Sequence, residues 1–210
     1  MNVCMSHFSI DLIESLEDVE TTVNAICENG ATPLHYAARN GKLQVVQWLV
    51  EREADVAAKD SDERWTALHF AAMEEHTDVV ALLLDNMDDA DVATMDKNGL
   101  TALHRAAMRG HGNVVTLVQN RMKEVWARAG VDVAAKDEYG WTALHRVAMN
   151  GHGDAVALLL DRIHQAGFAA NDKNGWTALD AAACWGHRHV VEWLENVIRN
   201  KQKGIDGRRS

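Results

Sequence analysis

One tetrapeptide constrains this chain more than any other feature. Thr32-Pro33-Leu34-His35 recurs as Thr66-Ala67-Leu68-His69, Thr101-Ala102-Leu103-His104, Thr142-Ala143-Leu144-His145 and, with its last residue changed, Thr177-Ala178-Leu179-Asp180. The steps between threonines are 34, 35, 41 and 35 residues. A unit this short cannot bury an apolar face alone, so a repeat at this period predicts a solenoid whose neighbouring units cover one another. It argues against a two-domain enzyme.

Each copy reads the same way. The Thr suits a helix N-cap, and Pro33 sits at the first helical position, where its missing N–H costs nothing. A Leu and a pair of small residues follow, giving a short helix able to pack closely. Gly41, Gly110, Gly151 and Gly186 close it, as glycine does where the backbone turns left-handed; repeat two has Glu75 there, a strained choice. A second helix is marked by Val45, Val46, Trp48 and Leu49 in the first repeat, by Val114, Val115, Leu117 and Val118 in the third, and by Val190, Val191, Trp193 and Leu194 in the last. Asp-x-x-Gly loops, such as Asp96-Lys97-Asn98-Gly99, suit tight turns.

The run Thr101-Ala102-Leu103-His104-Arg105-Ala106-Ala107-Met108-Arg109-Gly110-His111, followed by paired Val and a Leu, resembles the ankyrin repeat. The resemblance covers residues 30 to about 198. It implies an all-α solenoid of stacked helix-turn-helix units with projecting hairpin loops. The expected organisation is a helical N-terminal cap over 1–29, five repeats over about 30–59, 60–95, 96–136, 137–171 and 172–198, and a flexible basic tail over 199–210. The cap rests on Ile10, Ile13, Leu16, Val23 and Ile26 at helical spacing, with Asp11, Glu14, Glu17, Asp18 and Glu20 opposite. The starting Met and the end units suggest a free-standing protein.

Several departures carry expectations of their own. The 41-residue step places extra residues around Asn120–Trp126, so the second helix of repeat three should be longer or its loop should bulge. The loop Asp60-Ser61-Asp62-Glu63-Arg64-Trp65 has one extra residue and no Gly, which predicts an irregular tip. Ala57, Ala93, Ala134 and Ala169 stand where ankyrin loops often carry an Asn, so the hydroxylation that the resemblance implies at that Asn has no acceptor. The acidic run Asp85–Asp91 lacks the spacing and Gly of a calcium loop and reads as a solvated loop.

Composition narrows the function. The net charge is −10, with 31 acidic and 21 basic residues, against a duplex nucleic-acid binder, whose affinity comes from Lys and Arg on phosphates, and against an anionic membrane surface. No apolar run reaches the ~20 residues of a membrane span. Cys4, Cys27 and Cys184 are too few and scattered for a disulfide framework. A reducing, cytoplasmic setting is expected, with a nuclear location left open. No motif for a nucleophile, phosphate loop or zinc site is found, so neither enzyme activity nor a cofactor is expected. His76, His111, His152 and His187 recur once per repeat and therefore do not converge as metal ligands must.

What remains is a binding surface. Partners of proteins resembling this one usually contact the hairpin tips and exposed positions of the first helices. Here the residue before the motif Thr is Ala31, Trp65, Leu100, Trp141 or Trp176. The pair after the small residues includes Met73, Met108-Arg109, Met149 and Cys184-Trp185, and the loop tips add Tyr139 and Lys59, Lys97, Lys136 and Lys173. Trp, Tyr and Arg dominate interface energies and Met adapts to irregular partners. The candidate partner-binding set is thus Trp65, Met73, Leu100, Met108, Arg109, Tyr139, Trp141, Met149, Trp176 and Trp185, the occupant a protein or peptide in a concave groove, the chain a monomer. Two readings compete: that each Trp packs on the adjacent hairpin and stiffens the stack, and that a small-molecule or catalytic pocket lies between loops and first helices.

Overall fold

The computed structural model describes residues 23–129, 136–162 and 170–206. Most of the expected cap (1–22), Ala134, Ala169, the side chain of Trp126 and the end of the tail (207–210) lie outside the described residues. Eleven helices run through the rest: α1 Pro33–Arg39, α2 Leu43–Val50, α3 Ala67–Met73, α4 Thr77–Asp85, α5 Asp89–Val92, α6 Ala102–Arg109, α7 Gly112–Ala129, α8 Ala143–Asn150, α9 Gly153–Arg162, α10 Ala178–Cys184 and α11 Arg188–Asp206. Among the described residues there is no strand. The fold is an all-α solenoid.

The helices stack in two rows. The first helices α1, α3, α6, α8 and α10 pack each on the next, as do the second helices α2, α4, α7, α9 and α11. The pairs Ala37-Ala38, Ala71-Ala72, Ala106-Ala107, Val147-Ala148 and Ala181-Ala182 are buried between first helices, where their small volume permits the close approach. Leu34, Leu68, Leu144, Leu49, Leu83 and Leu159 fill the seam between rows, and the core is one continuous cluster from Val23 to Leu194. At the described end of the expected cap Val23 is buried, whereas Ile26 is 73% exposed.

The motif histidines join the units. Each threonine's backbone N–H donates to Nδ1 of the histidine three residues on, at 3.0–3.3 Å in repeats one to four. An accepting Nδ1 leaves the proton on Nε2. That Nε2–H donates forward to the next unit's loop: His35 to Trp65 O at 3.0 Å, His69 to Leu100 O at 3.0 Å, His104 to Trp141 O at 3.2 Å and His145 to Trp176 O at 3.0 Å. The threonine hydroxyl lies 2.8–2.9 Å from the same Nδ1. Its contact with a helix N–H is longer, 3.5 Å to His104 N, so the imidazole rather than the helix end is its closer partner.

A second set of histidines points back. His76, His111, His152 and His187 donate from Nε2 to the carbonyls of Arg39, Met73, Met108 and Met149 at 2.8–3.1 Å. Those carbonyls belong to the last turns of first helices, where a carbonyl has no N–H donor within the helix, so each unit caps the one before it. The glycine at this corner is required twice over. Gly110 has φ +76°, and a Cβ there would lie 2.6 Å from the His152 ring. Glu75 takes the same left-handed conformation at φ 63° and lies with Oε2 3.3 Å from Nδ1 of His111. Arg64, at φ 57°, likewise takes the glycine position of the loop with the extra residue.

The 41-residue step lengthens a helix: α7 has 18 residues against nine in α4. Its Arg121 donates to Leu84 O and Met87 O and pairs with Asp89 at 2.9 Å. The acidic run it reaches is therefore not simply a solvated loop. Residues 89–92 form α5, with Met87 and Val92 buried. The tail is shorter than expected, since α11 continues to Asp206.

Candidate functional site

The hairpin loops form an edge along the stack. In each, the Asp backbone N–H donates to the residue before the motif Thr: Asp60 to Trp65 O, Asp96 to Leu100 O, Asp137 to Trp141 O and Asp172 to Trp176 O, at 2.8–2.9 Å. The same aspartates accept from the loop through Oδ1, as Asp137 does from Tyr139 N at 2.9 Å and Trp141 N at 2.8 Å. Successive loops bond to each other through Ser61 N to Asn29 O, Lys97 N to Glu63 O, Glu138 N to Asn98 O and Lys173 N to Tyr139 O. This geometry fixes where each candidate side chain lies.

The column before the threonine divides three ways. Leu100 is only 4% exposed and is withdrawn from the binding surface; Ala31 is buried as well. An aliphatic side chain there turns into the seam, having no polar edge to keep in water. Trp65 and Trp141 are half-buried and held in place. Arg105 of the next unit stacks on Trp65 at 4.3 Å from the ring centroid, and Phe70 packs on it at 4.8 Å. Nε1 of Trp65 is buried with no hydrogen-bond partner among the described residues. Arg146 stacks on Trp141 at 4.7 Å, while the indole N–H donates to Asp172 Oδ2 at 2.8 Å. Both indoles also lie over their own repeat's motif histidine, at 6.4 and 6.5 Å. For these two, packing that stiffens the stack describes the geometry.

Trp176 differs. It is 41% exposed. Asp180 stands where the motif histidine would lie beneath it, and Ala181 where the other repeats have Arg105 and Arg146. The arginines themselves are fixed: Arg105 pairs with Asp96, and Arg146 with Asp137 through Nε at 2.9 Å and NH2 at 2.5 Å. Trp185, at the C-terminal end of α10, is 61% exposed and Tyr139 56% exposed. Met73, Met108 and Met149 are half-buried and Arg109 is exposed. The surviving exposed aromatic set is thus Tyr139, Trp176 and Trp185, all in the last two repeats. Of the second-helix tryptophans, Trp48 is buried under Arg52, and Trp193 is 37% exposed.

Sequence reasoning missed what sorts the tryptophans, the residue just after the motif histidine: Tyr36, Phe70, Arg105, Arg146 and Ala181. A column of two arginines ending in alanine was the available signal.

The electrostatics follow the same division. Burial pushes the imidazoles of His69 and His104 down to about 4, and lowers His35 and His145 also. They are neutral near pH 7, as their forward N–H bonds require. Burial raises the Asp172 carboxyl, but bonds from Trp176 N, the Trp141 indole and Asn174 outweigh it and leave it below the usual range. Hydrogen bonds from the Thr177 hydroxyl and N–H lower Asp180. Among the described residues no three His, Cys, Asp or Glu converge as a metal site would, and no helix is long and apolar enough to cross a membrane.

At the end of the stack the pattern is left open. The acceptors filled in earlier repeats by the next unit are Asn98 O and Tyr139 O in the loops and Met108 O and Met149 O at helix ends. Their counterparts in the last repeat, Asn174 O and Cys184 O, receive no such bond among the described residues. Among the described residues nothing lies within 4 Å of where a Cβ on Gly175 or Gly186 would be.

Known proteins share this pattern. The sequence profile described as ankyrin repeats (3 copies) matches residues 57–129 and 120–203, and that described as ankyrin repeats (many copies) matches residues 20–71. The chain is 41% identical over 94 residues to the mouse Ankyrin repeat and SAM domain-containing protein 6, covering 44% of this chain and 10% of that protein. It is 36% identical over 73 residues to the human Notch-regulated ankyrin repeat-containing protein, covering 35% of this chain and 63% of that one. It thus spans less than two thirds of either relative. With profile matches over most of its length and the two rows of stacked helix pairs, the chain belongs to the ankyrin-repeat family.

Proposed function

We propose that this chain is a protein-interaction module whose contact surface is the aromatic edge of its last two repeats, occupied by a protein or peptide. Ankyrin repeats are generally protein-protein interaction modules, and the observation that carries the narrower reading is the exposure of Tyr139, Trp176 and Trp185 together. Large aromatics left in water are a liability for a monomer and are the residues that anchor interfaces. Met149 and Met108, half-buried along the ends of α8 and α6, extend the surface with adaptable side chains; Arg109 lies at its far margin, with Met73 beyond. Trp141, 6.4 Å from Tyr139 between ring centroids, borders it; Trp65 lies in repeat two, away from it. The module works by equilibrium binding, without catalysis or a cofactor. The free thiols of Cys27 and Cys184 support a reducing compartment such as the cytoplasm.

The test is capture of partners from the source cell extract by the whole chain and by Trp176→Ala/Trp185→Ala. The expected result is a specific partner lost at least tenfold in the double variant with helix content unchanged, because hot-spot truncations cost ~2 kcal/mol or more. A partner retained equally by both proteins would overturn the assignment of this edge.

A further inference from the structure

Resting on that reading, we infer that the partner of this edge presents an arginine, and that the last repeat receives it between the Trp176 indole and the Asp180 carboxylate. Every other indole in the column carries a guanidinium: Arg105 lies over Trp65 and Arg146 over Trp141, each also paired with a loop aspartate. Arg105 comes from the unit after the indole it covers. Trp176 has neither source. Ala181 fills the arginine position in its own repeat, and no repeat follows it among the described residues. The residue is left 41% exposed.

The counter-charge is in place. Asp180 Oδ2 is fixed by the Thr177 hydroxyl at 2.7 Å and N–H at 2.8 Å, one residue from the indole, and its side chain is exposed. It is the single charged side chain in residues 174–186. The stem of Lys173 lies back against Gly140 of the preceding loop. Asn174 O and Cys184 O, whose counterparts in the regular stack are filled by N–H donors, add acceptors at this end. An acidic, acceptor-rich face flanked by indoles matches a guanidinium, which brings five donors in a plane and stacks on aromatic rings. A lysine ammonium offers the charge without the plane. The face continues the established contact between repeats, where Arg146 pairs with the loop aspartate Asp137; the counterpart Asp172 is taken up by the Trp141 indole, which leaves Asp180 as the carboxylate for an incoming guanidinium.

The experiment uses the full chain and three capped pentapeptides, Gly-Arg-Gly-Arg-Gly and its lysine and citrulline counterparts, titrated while the indole N–H resonances are recorded. The Trp176 resonance should move with the arginine peptide, at an apparent affinity at least fivefold better than lysine, and stay still with citrulline. Asp180→Asn should abolish the shift with helix content unchanged. Ala181→Arg, which supplies the guanidinium from within, should weaken peptide binding at least fivefold. No movement of Trp176 at millimolar arginine peptide, or equal movement with all three, overturns the inference. So does self-association of the chain in sedimentation that Trp176→Ala abolishes, which would make a second copy the occupant. A partner lost on Trp176→Ala/Trp185→Ala with no arginine response leaves the interaction edge standing and removes the arginine alone.

Discussion

Repeats four and five set an indole at the same register, one residue before the motif threonine, and the two side chains behave differently. Trp141 is pinned from three sides: Arg146 on its face, His145 beneath it, and Asp172 on its N–H. Trp176 has alanine and aspartate at the first two positions and stands in the open. The backbone around both is alike, with the Asp N–H closing each loop onto the indole residue's carbonyl. Whether a tryptophan in this array serves as structure or as surface is therefore decided by the side chains brought against it, not by its place in the repeat.

Removing the guanidinium from the pinned indole should have the largest effect. Arg146 and Asp137 are both buried, at 9% and 5% exposure, so Arg146→Ala strands a carboxylate and is expected to cost about 3–5 kcal/mol, read from the urea midpoint. The mirror change Ala181→Arg should barely move the midpoint, because Asp172 is already engaged by Trp141. A loss below about 1 kcal/mol in Arg146→Ala would erase the distinction between the two repeats.

Acid sharpens the same contrast. The folded-state values of His69 and His104 lie below the ordinary 6.5, near 4, so the unfolded chain binds the extra protons between those limits. Stability is intact above about pH 6.5 and falls as the pH drops towards 4, by up to about 3 kcal/mol for each histidine. Asp180, lowered from 3.8, keeps its contribution through that window and loses it only below. His104→Gln should flatten the slope between pH 6.5 and 4, whereas Asp180→Asn should leave it unchanged. Parallel profiles for the His104 variant and the parent would show that the buried imidazole does not titrate as described.

The smallest effect lies at the corner of repeat two. Glu75 holds φ 63°, where a side chain costs about 1–2 kcal/mol relative to glycine. Glu75→Gly should gain about 1 kcal/mol in thermal unfolding, the lost contact with His111 taking back part of the relief. A destabilised variant would mean that the pair with His111 outweighs the strain.

Much of this was legible in the sequence because the repeat is written in short-range residue types. Thr and His three apart, glycine at the corner and paired valines fix the helices locally, and the extra residues near Asn120 pointed to the longer α7. The fate of the candidate site was not legible in the same way. Trp65 is covered by Arg105, forty residues on, and Leu100 sinks into the seam that Trp176 avoids. Ile26 kept its helical spacing yet faces water. A pattern read along the chain locates a column; what covers each member depends on the neighbouring unit.

Arg121 gives the array an uneven mechanical character. Reaching from α7 to the carbonyls of Leu84 and Met87 and to Asp89, it rivets repeats two and three with contacts beyond the paired imidazoles that secure each boundary between repeats one and five. Pulled from its ends, the solenoid should peel in stages, with the riveted pair yielding after the terminal unit that bears the open indole.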